Sequence, residues 1–385
     1  MSEISPDHSG AVAQGGFGSR AGAPTRAHFV YDGRLGELYW IFIKNTLLML
    51  VTFSIWRFWG KTRIRRYLWS HTSLAGDRFE YTGTGGELFV GFIIVMIAYV
   101  LGSIGIQALG IALEPDSPIL LVLQLGVSFL ILYLVFVAQY AAQRYRLTRT
   151  LWRGINGGMT GSAWKWGMKG MWFSILSLLS LTLAWPWAQM RLLSDRVNHS
   201  YFGDAKASAT LKSANVYKAY FVSLAVFLVT FLFVGGFASL VYGLMNLGGI
   251  ASGQMQGPAS NSEMVAASLP ILVILIAYVF IAPIAYSFYV VAVAREVAST
   301  LELGGLRFAT PITTGRLVSR YFWNIVIIVF TFGLGLPIAI HRTMLFLSRN
   351  IEIIGEIDGS AITRAELPRP KFGEGLLEAF DPGIL

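Results

Sequence analysis

The chain has 385 residues, of which 55% are hydrophobic and 13% charged, about half the charged share of an ordinary soluble domain. A mean hydropathy of +0.59 sets it apart from soluble globular proteins, and the absence of cysteine excludes disulfides, thiol nucleophiles and thiolate metal sites. The net charge of +9 asks where the positive charges sit, because cytoplasmic loops of membrane proteins collect Lys and Arg.

Residues 1–27 are polar, small and Gly/Ala-rich, without the apolar core of a signal peptide, and read as a disordered tail. Then HFVYDGRLGELYWIF, residues 28–42, is echoed by RFEYTGTGGELFVGF, residues 78–92. Phe29 pairs with Phe79, Tyr31 with Tyr81, Gly33 with Gly83, and Glu37 with Glu87. The shared FxYxGxxGEL frame reads as a surface strand, a glycine turn and the start of a membrane helix. Its glutamate sits in the first helical turn, where negative charge suits the helix dipole.

Further along, three segments share one layout: 52–76, 182–203 and 331–355. Each opens on a threonine (Thr52, Thr182, Thr331), and Arg63, Arg191 and Arg342 follow eleven, nine and eleven residues later. Asn45 and Asn324 each precede their threonine by seven. Between these segments lie long uncharged runs, about 88–113 with 118–140 and about 219–247 with 267–294, each able to supply the ~20 apolar residues of a membrane helix. The expected fold is mainly α: a polytopic helical membrane protein with internal repeats, each a short broken segment plus a long helical hairpin, and short β-strands at the cytoplasmic face. The repeats are 28–145, 146–298 and a partial 299–360 within one membrane domain, 28–360, and 361–385 forms a C-terminal tail. Five short pieces, 71–76, 149–154, 198–203, 299–305 and 350–355, share a Thr or aromatic strand closed by Gly and are expected to meet in one β-rich layer.

Charge sets the orientation. The connections 114–117 and 248–266 carry only acids, whereas 141–170 carries six basic residues and no acid. Both long pairs are therefore expected to be hairpins with tips pointing away from the cytoplasm and basic loops inside. The short segments 38–58, 171–190 and 321–340 either enter and return or lie along the interface, giving four spans and keeping every basic residue inside, or cross, giving seven. Pro186, Gly333 and Pro337 permit a helix break at these places.

The run 62–92 carries Arg63, Arg66 and Tyr67, then Thr72, Leu74 and Gly76, then Phe79, Tyr81, Gly83 and Glu87. It resembles the YjgN-like family of bacterial inner-membrane proteins, a domain of unknown function, over roughly residues 28–360. That family commonly reads Thr-Leu-Gly at the first break, where this chain has Phe53 and Ser54 after Thr52. The resemblance implies a location in the bacterial inner membrane and a fold, and transfers no activity.

Little catalytic chemistry stands out. The five histidines lack a zinc-binding spacing, and GTGGE, residues 83–87, lacks the Gly-Lys-Ser/Thr ending of a phosphate loop. No catalytic residue, metal or cofactor is expected, and membrane location argues against nucleic acid. Lys61, Arg63, Arg65, Arg66, Arg191 and Arg342 are candidate contacts for anionic lipid headgroups. Asn45, Thr52, Thr182, Pro186, Asn324, Thr331, Gly333 and Pro337 mark helix breaks or a substrate pathway. Two functions are therefore expected side by side: a non-catalytic scaffold, lipid-interacting or envelope protein, and a small-solute or ion transporter or channel built from the repeats.

Overall fold

The computed structural model describes residues 26–112, 117–251 and 261–355. The expected tails, 1–27 and 361–385, and both connections between long helices fall wholly or partly outside the described residues. Strand β1 (Arg26–Tyr31) begins two residues before the expected domain edge at 28.

Ten strands close into one antiparallel barrel. After β1 come β2 (Thr72–Leu74), β3 (Asp77–Tyr81), β4 (Thr150–Trp152), β5 (Ile155–Met159), β6 (Ser200–Phe202) and β7 (Ala205–Ser208). The last three are β8 (Glu302–Leu303), β9 (Leu306–Ala309) and β10 (Glu352–Ile354). Neighbours follow chain order, and β1 closes the ring by pairing with both β2 and β10. Each of the five Gly-closed pieces contributes one strand, so the expected layer is a closed ring in which no strand has a free edge. The hairpin turns need left-handed backbone at Ala75–Gly76, Arg153–Gly154 and Gly304–Gly305, with φ between 52° and 89°. That conformation is why glycine closes these pieces.

The barrel is filled. Leu74, Trp152, Leu306 and Ile353 are buried inside it, with Phe29, Phe79, Phe202 and Phe308 packed against them. Trp152 Nε1 donates to the carbonyl of Leu74 at 3.3 Å, so the indole carries no orphaned donor into the core.

Helices arrive at the barrel and leave it in turn. The short ones are α1 (Leu35–Val51) with α2 (Arg57–Ser70), α5 (Ala163–Leu179) with α6 (Trp185–Asn198), and α9 (Thr314–Phe330) with α10 (Leu336–Asn350). The long ones are α3 (Gly85–Ala112), α4 (Pro118–Thr148), α7 (Ala214–Ala251) and α8 (Asn261–Thr300). Helices α7 and α8 pack along much of their length, while α3 and α4 scarcely touch among the described residues. Among the described residues, three stretches are long and apolar enough to cross a membrane: Pro118–Thr148, Ala214–Phe237 and Ile281–Thr300. Leu121, Val122, Leu125, Val229, Leu232 and Phe233 stay exposed on them, as a lipid-facing surface requires.

Candidate functional site: the short hairpins and the clamps beneath the barrel

Each short segment is a helical hairpin that leaves the barrel and comes back to it, and the three turns are built alike. Phe53 and Ser54 have φ of 48° and 67°, Leu181 and Thr182 51° and 70°, and Phe332 and Gly333 50° and 87°. Two successive left-handed residues reverse the chain at a cost of about 1–2 kcal/mol for each non-glycine residue. The amide of the second reaches five residues back, Ser54 to Met49, Thr182 to Ser177 and Gly333 to Ile328, at 2.7 to 2.8 Å. A hydroxyl then caps the returning helix. Thr52 Oγ1 accepts from the amide of Trp56 at 3.0 Å, Ser180 Oγ from Ala184 at 3.0 Å, and Thr331 Oγ1 from Gly335 at 2.6 Å. Each hydroxyl also donates back into the departing helix, to Leu48, Ser177 and Ile327.

This geometry corrects the register read from sequence. The counterpart of Thr52 and Thr331 is Ser180, two residues before Thr182. Arg63, Arg191 and Arg342 then all fall eleven residues after the capping hydroxyl. Thr182 instead occupies the second left-handed position, and its carbonyl and hydroxyl both receive the Tyr220 hydroxyl, at 2.9 and 2.7 Å. Pro186 and Pro337 are buried second residues of α6 and α10, where a proline starts a helix instead of kinking it.

The apolar tips are among the most exposed side chains of the chain: Phe53 at 92%, Leu181 at 83% and Phe332 at 97%. Two of the tips lie against the start of a long helix. The Arg57 guanidinium sits 5.0 Å from the ring centre of Phe92 on α3, and Tyr217 on α7 donates to the carbonyl of Leu183 at 3.0 Å. Phe92 and Tyr220 lie in the second turn of α3 and α7, about 10 Å from the helix start.

Asn45 is buried inside the first hairpin, donating to the Gly60 carbonyl at 3.4 Å and accepting from Trp56 Nε1 at 3.3 Å. Asn324 donates to Thr343 Oγ1 at 3.4 Å in the third hairpin. Both join the two helices of their own hairpin.

The duplicated FxYxGxxGEL frame builds two equivalent clamps. Phe29 and Phe79 point into the barrel core, their ring centres 6.0 Å apart. The rings of Tyr31 and Tyr81 fold over Gly33 and Gly83, where an added Cβ would lie 2.4 and 2.6 Å from the ring carbon that bears the hydroxyl. The glutamates then reach the arriving helix that follows. Glu87 accepts from Arg149 and from the Tyr145 hydroxyl, while Glu37 lies 3.7 Å from His71. Tyr67 repeats the Tyr145 contact by bonding the backbone of Arg34, which stands where Thr84 does in the second copy. Burial pushes the Tyr31 phenol above its ordinary pKa, aided by Tyr67 and Asp32, so it stays neutral.

The same place is filled differently elsewhere. Asp195 takes the Lys169 ammonium at 2.5 Å, and Glu296 accepts from the Lys212 amide and Asn215 Nδ2 at 2.7 and 2.8 Å. Glu296 is 6% exposed, a buried carboxylate that sequence reasoning passed over. Its signal was its position four residues before the helix end at Thr300, as Tyr67 stands before His71 and Tyr145 before Arg149.

The basic candidates divide. Arg63 is exposed with its guanidinium 5.1 Å from the Trp56 ring centre, and Arg191 is exposed on α6. Arg66 is exposed yet donates to the Gly83 carbonyl at 2.8 Å, and Lys61 is half-buried with a partner of its own. Arg65 is corrected: it is fully buried, donates to the Tyr81 hydroxyl at 3.3 Å, and cannot face a headgroup. The helix period separates it from its exposed neighbours in the same basic run. Arg342 is half-buried beside Arg320. Among the described residues there is no cluster of His, Cys, Asp or Glu able to hold a metal.

Comparisons with known proteins point to inner membrane proteins. The chain is 27% identical over 172 residues to the inner membrane protein YjgN of Escherichia coli O157:H7, covering 45% of this chain and 39% of that one. It is 28% identical over 145 residues to YjgN of Escherichia coli K12, covering 38% and 33%. It is 34% identical over 71 residues to YjgN of Salmonella typhimurium, covering 18% of each. The matched stretches thus span well under half the length of these relatives. No solved structure matches. A family model described as bacterial protein of unknown function (DUF898) matches residues 26–379, and the chain belongs to that family.

Proposed function

We propose that this is a non-catalytic, lipid-interacting scaffold of the bacterial inner membrane. Its four long helices span the bilayer, and the three short hairpins dip into the leaflet on the barrel side. The barrel and the basic residues face the cytoplasm, where Arg63, Arg191 and their neighbours meet anionic headgroups.

The hairpin turn carries this reading. Its hydroxyl pairs an amide that lipid would otherwise leave unpaired, while an apolar side chain is presented outward. Docking at the second turn of α3 and α7 favours a shallow position, with tips about 10 Å below the helix starts. All ten strands share one barrel, which favours both ends of every hairpin lying on one side. The filled barrel interior gives a transporter reading no axial path through the sheet.

The test is depth. A Ser54→Cys variant carrying an environment-sensitive fluorophore is reconstituted into vesicles with nitroxide lipids. Strong quenching by a nitroxide near the headgroup end of the acyl chain, and weaker quenching at the chain terminus, is expected. No quenching by either probe would refute insertion of the tip.

A further inference from the structure

The third short hairpin holds positive charge that no described carboxylate balances. Arg320 lies on α9, and Arg342 and Arg349 lie on α10. Arg320 donates to the carbonyl of Arg342, and its guanidinium sits 4.7 Å from the ring centre of Phe346. Arg349 lies two turns along α10 from Arg342, on the same face. Among the described residues none of these three arginines forms a salt bridge.

The second hairpin shows what is missing. Lys169 precedes Ser180 by eleven residues, as Arg320 precedes Thr331. Lys169 closes on Asp195 at 2.5 Å, whereas the place of Asp195 is taken in the third hairpin by Phe346. One position therefore carries an ion pair in one hairpin and a cation facing an aromatic ring in the other. Arg320 and Arg342 are half-buried, and like charges held together there call for an anion. Two polar atoms of this hairpin, Asn324 Oδ1 and His341 Nδ1, are also buried without a partner. Asn324 lies one turn along α9 from Arg320, on the same face.

We infer that Arg320, Arg342 and Arg349 bind one phosphate ester, of the class carried by glycerophospholipid headgroups. Guanidinium forks match phosphate oxygens, and a headgroup hydroxyl or amine would supply the donor that Asn324 Oδ1 lacks. The inference rests on the lipid-interacting reading above and narrows it to a site. A soluble phosphate has the same anionic chemistry and is distinguished by the test.

The purified full chain in a mild detergent is titrated with phosphatidylglycerol and, separately, with inorganic phosphate. Thermal unfolding and native mass spectrometry of retained lipid are the readouts. Wild type is expected to saturate with one ligand. Arg320→Gln and Arg349→Gln should each weaken binding by about tenfold or more, the scale of one lost charge-assisted hydrogen bond. Arg320→Lys should recover part of the loss, which also shows that the hairpin still folds. Arg78→Gln and Arg153→Gln, on the barrel where the native arginines pair with Asp32 and Asp77, should stay within about threefold of wild type. A response to the lipid alone assigns the site to a headgroup. An equal response to inorganic phosphate, with the same variant pattern, assigns it to a soluble phosphate. Titration of Arg320→Gln and Arg349→Gln like wild type overturns the site. If lipid binding instead follows Arg63 and Arg191, the broader lipid reading survives and this site does not. If no form binds either ligand, both fall.

Discussion

Replacing Ser180 by Ala removes one hydroxyl from the turn of the second hairpin. That hydroxyl accepts from the Ala184 amide at 3.0 Å and donates to the Ser177 carbonyl at 3.1 Å. The Ala184 amide is then left without a partner at the start of α6, and no water replaces it if the tip lies in lipid. An unmade bond at a buried donor costs about 1–3 kcal/mol, and loss of a helix cap about 0.5–2 kcal/mol. A destabilisation of about 1–2 kcal/mol is expected. Thr182→Ala provides the contrast. The Tyr220 hydroxyl keeps the Thr182 carbonyl at 2.9 Å, so that change should cost less than about 1 kcal/mol. Unfolding of both variants in mixed micelles with increasing SDS, followed by tryptophan fluorescence, gives the two midpoints. If Thr182→Ala proves as costly as Ser180→Ala, the equivalence of Ser180 with Thr52 and Thr331 is wrong.

Other expectations follow from the clamps and the barrel. Glu87→Gln breaks the Arg149 ion pair and weakens the Tyr145 bond, at about 1–2 kcal/mol after solvent screening, whereas Glu37→Gln should cost under about 1 kcal/mol because its ion contacts are 3.7 and 3.8 Å and half exposed. Chemical denaturation of the two variants side by side checks the ranking. Arg65→Ala leaves the buried Tyr81 hydroxyl without its arginine donor and should cost about 1–3 kcal/mol, and Arg65→Lys should recover little of it in the same assay. Gly161→Ala adds a Cβ 2.8 Å from the His199 ring and 2.9 Å from the Tyr140 hydroxyl at φ +87°, so its unfolding temperature should fall by several degrees. Trp152→Ala empties the centre of the barrel and should cost about 3–5 kcal/mol without producing ion conductance in planar bilayers, which a pore through the sheet would require.

What could be read from sequence depended on the range of the interactions. The FxYxGxxGEL frame was visible because it is written twice, and its glycine turns and first-turn glutamates stand where local propensity puts them. Its purpose was not visible, because the partners of Glu87 lie on a helix about sixty residues further on and no local pattern points there. The hairpin turns were found through their threonines, but residue identity misplaced the second. The structure uses any hydroxyl, and Ser180 serves as well as Thr52. Arg65 looked like its neighbours in a basic run, and only the helix face sends it inward. Strands of two to six residues are too short for alternation to show that they close into a barrel. The unbalanced charge at Arg320 emerges only when the third hairpin is laid over the second, which needs the corrected register.

The central claim, that every hairpin returns to the barrel side of the membrane, is tested most directly by thiol accessibility. The chain has no cysteine, so single substitutions need no altered background. Ser208 lies exposed on β7, after the second short hairpin, and Ser117 caps α4 at the far end of a long helix. Intact cells are labelled with a membrane-impermeant thiol reagent, and permeabilised cells serve as the reference. Labelling of Ser117→Cys in intact cells, with Ser208→Cys labelled only after permeabilisation, is the predicted result. Labelling of Ser208→Cys in intact cells would mean that the second hairpin crosses the bilayer, and would contradict the account.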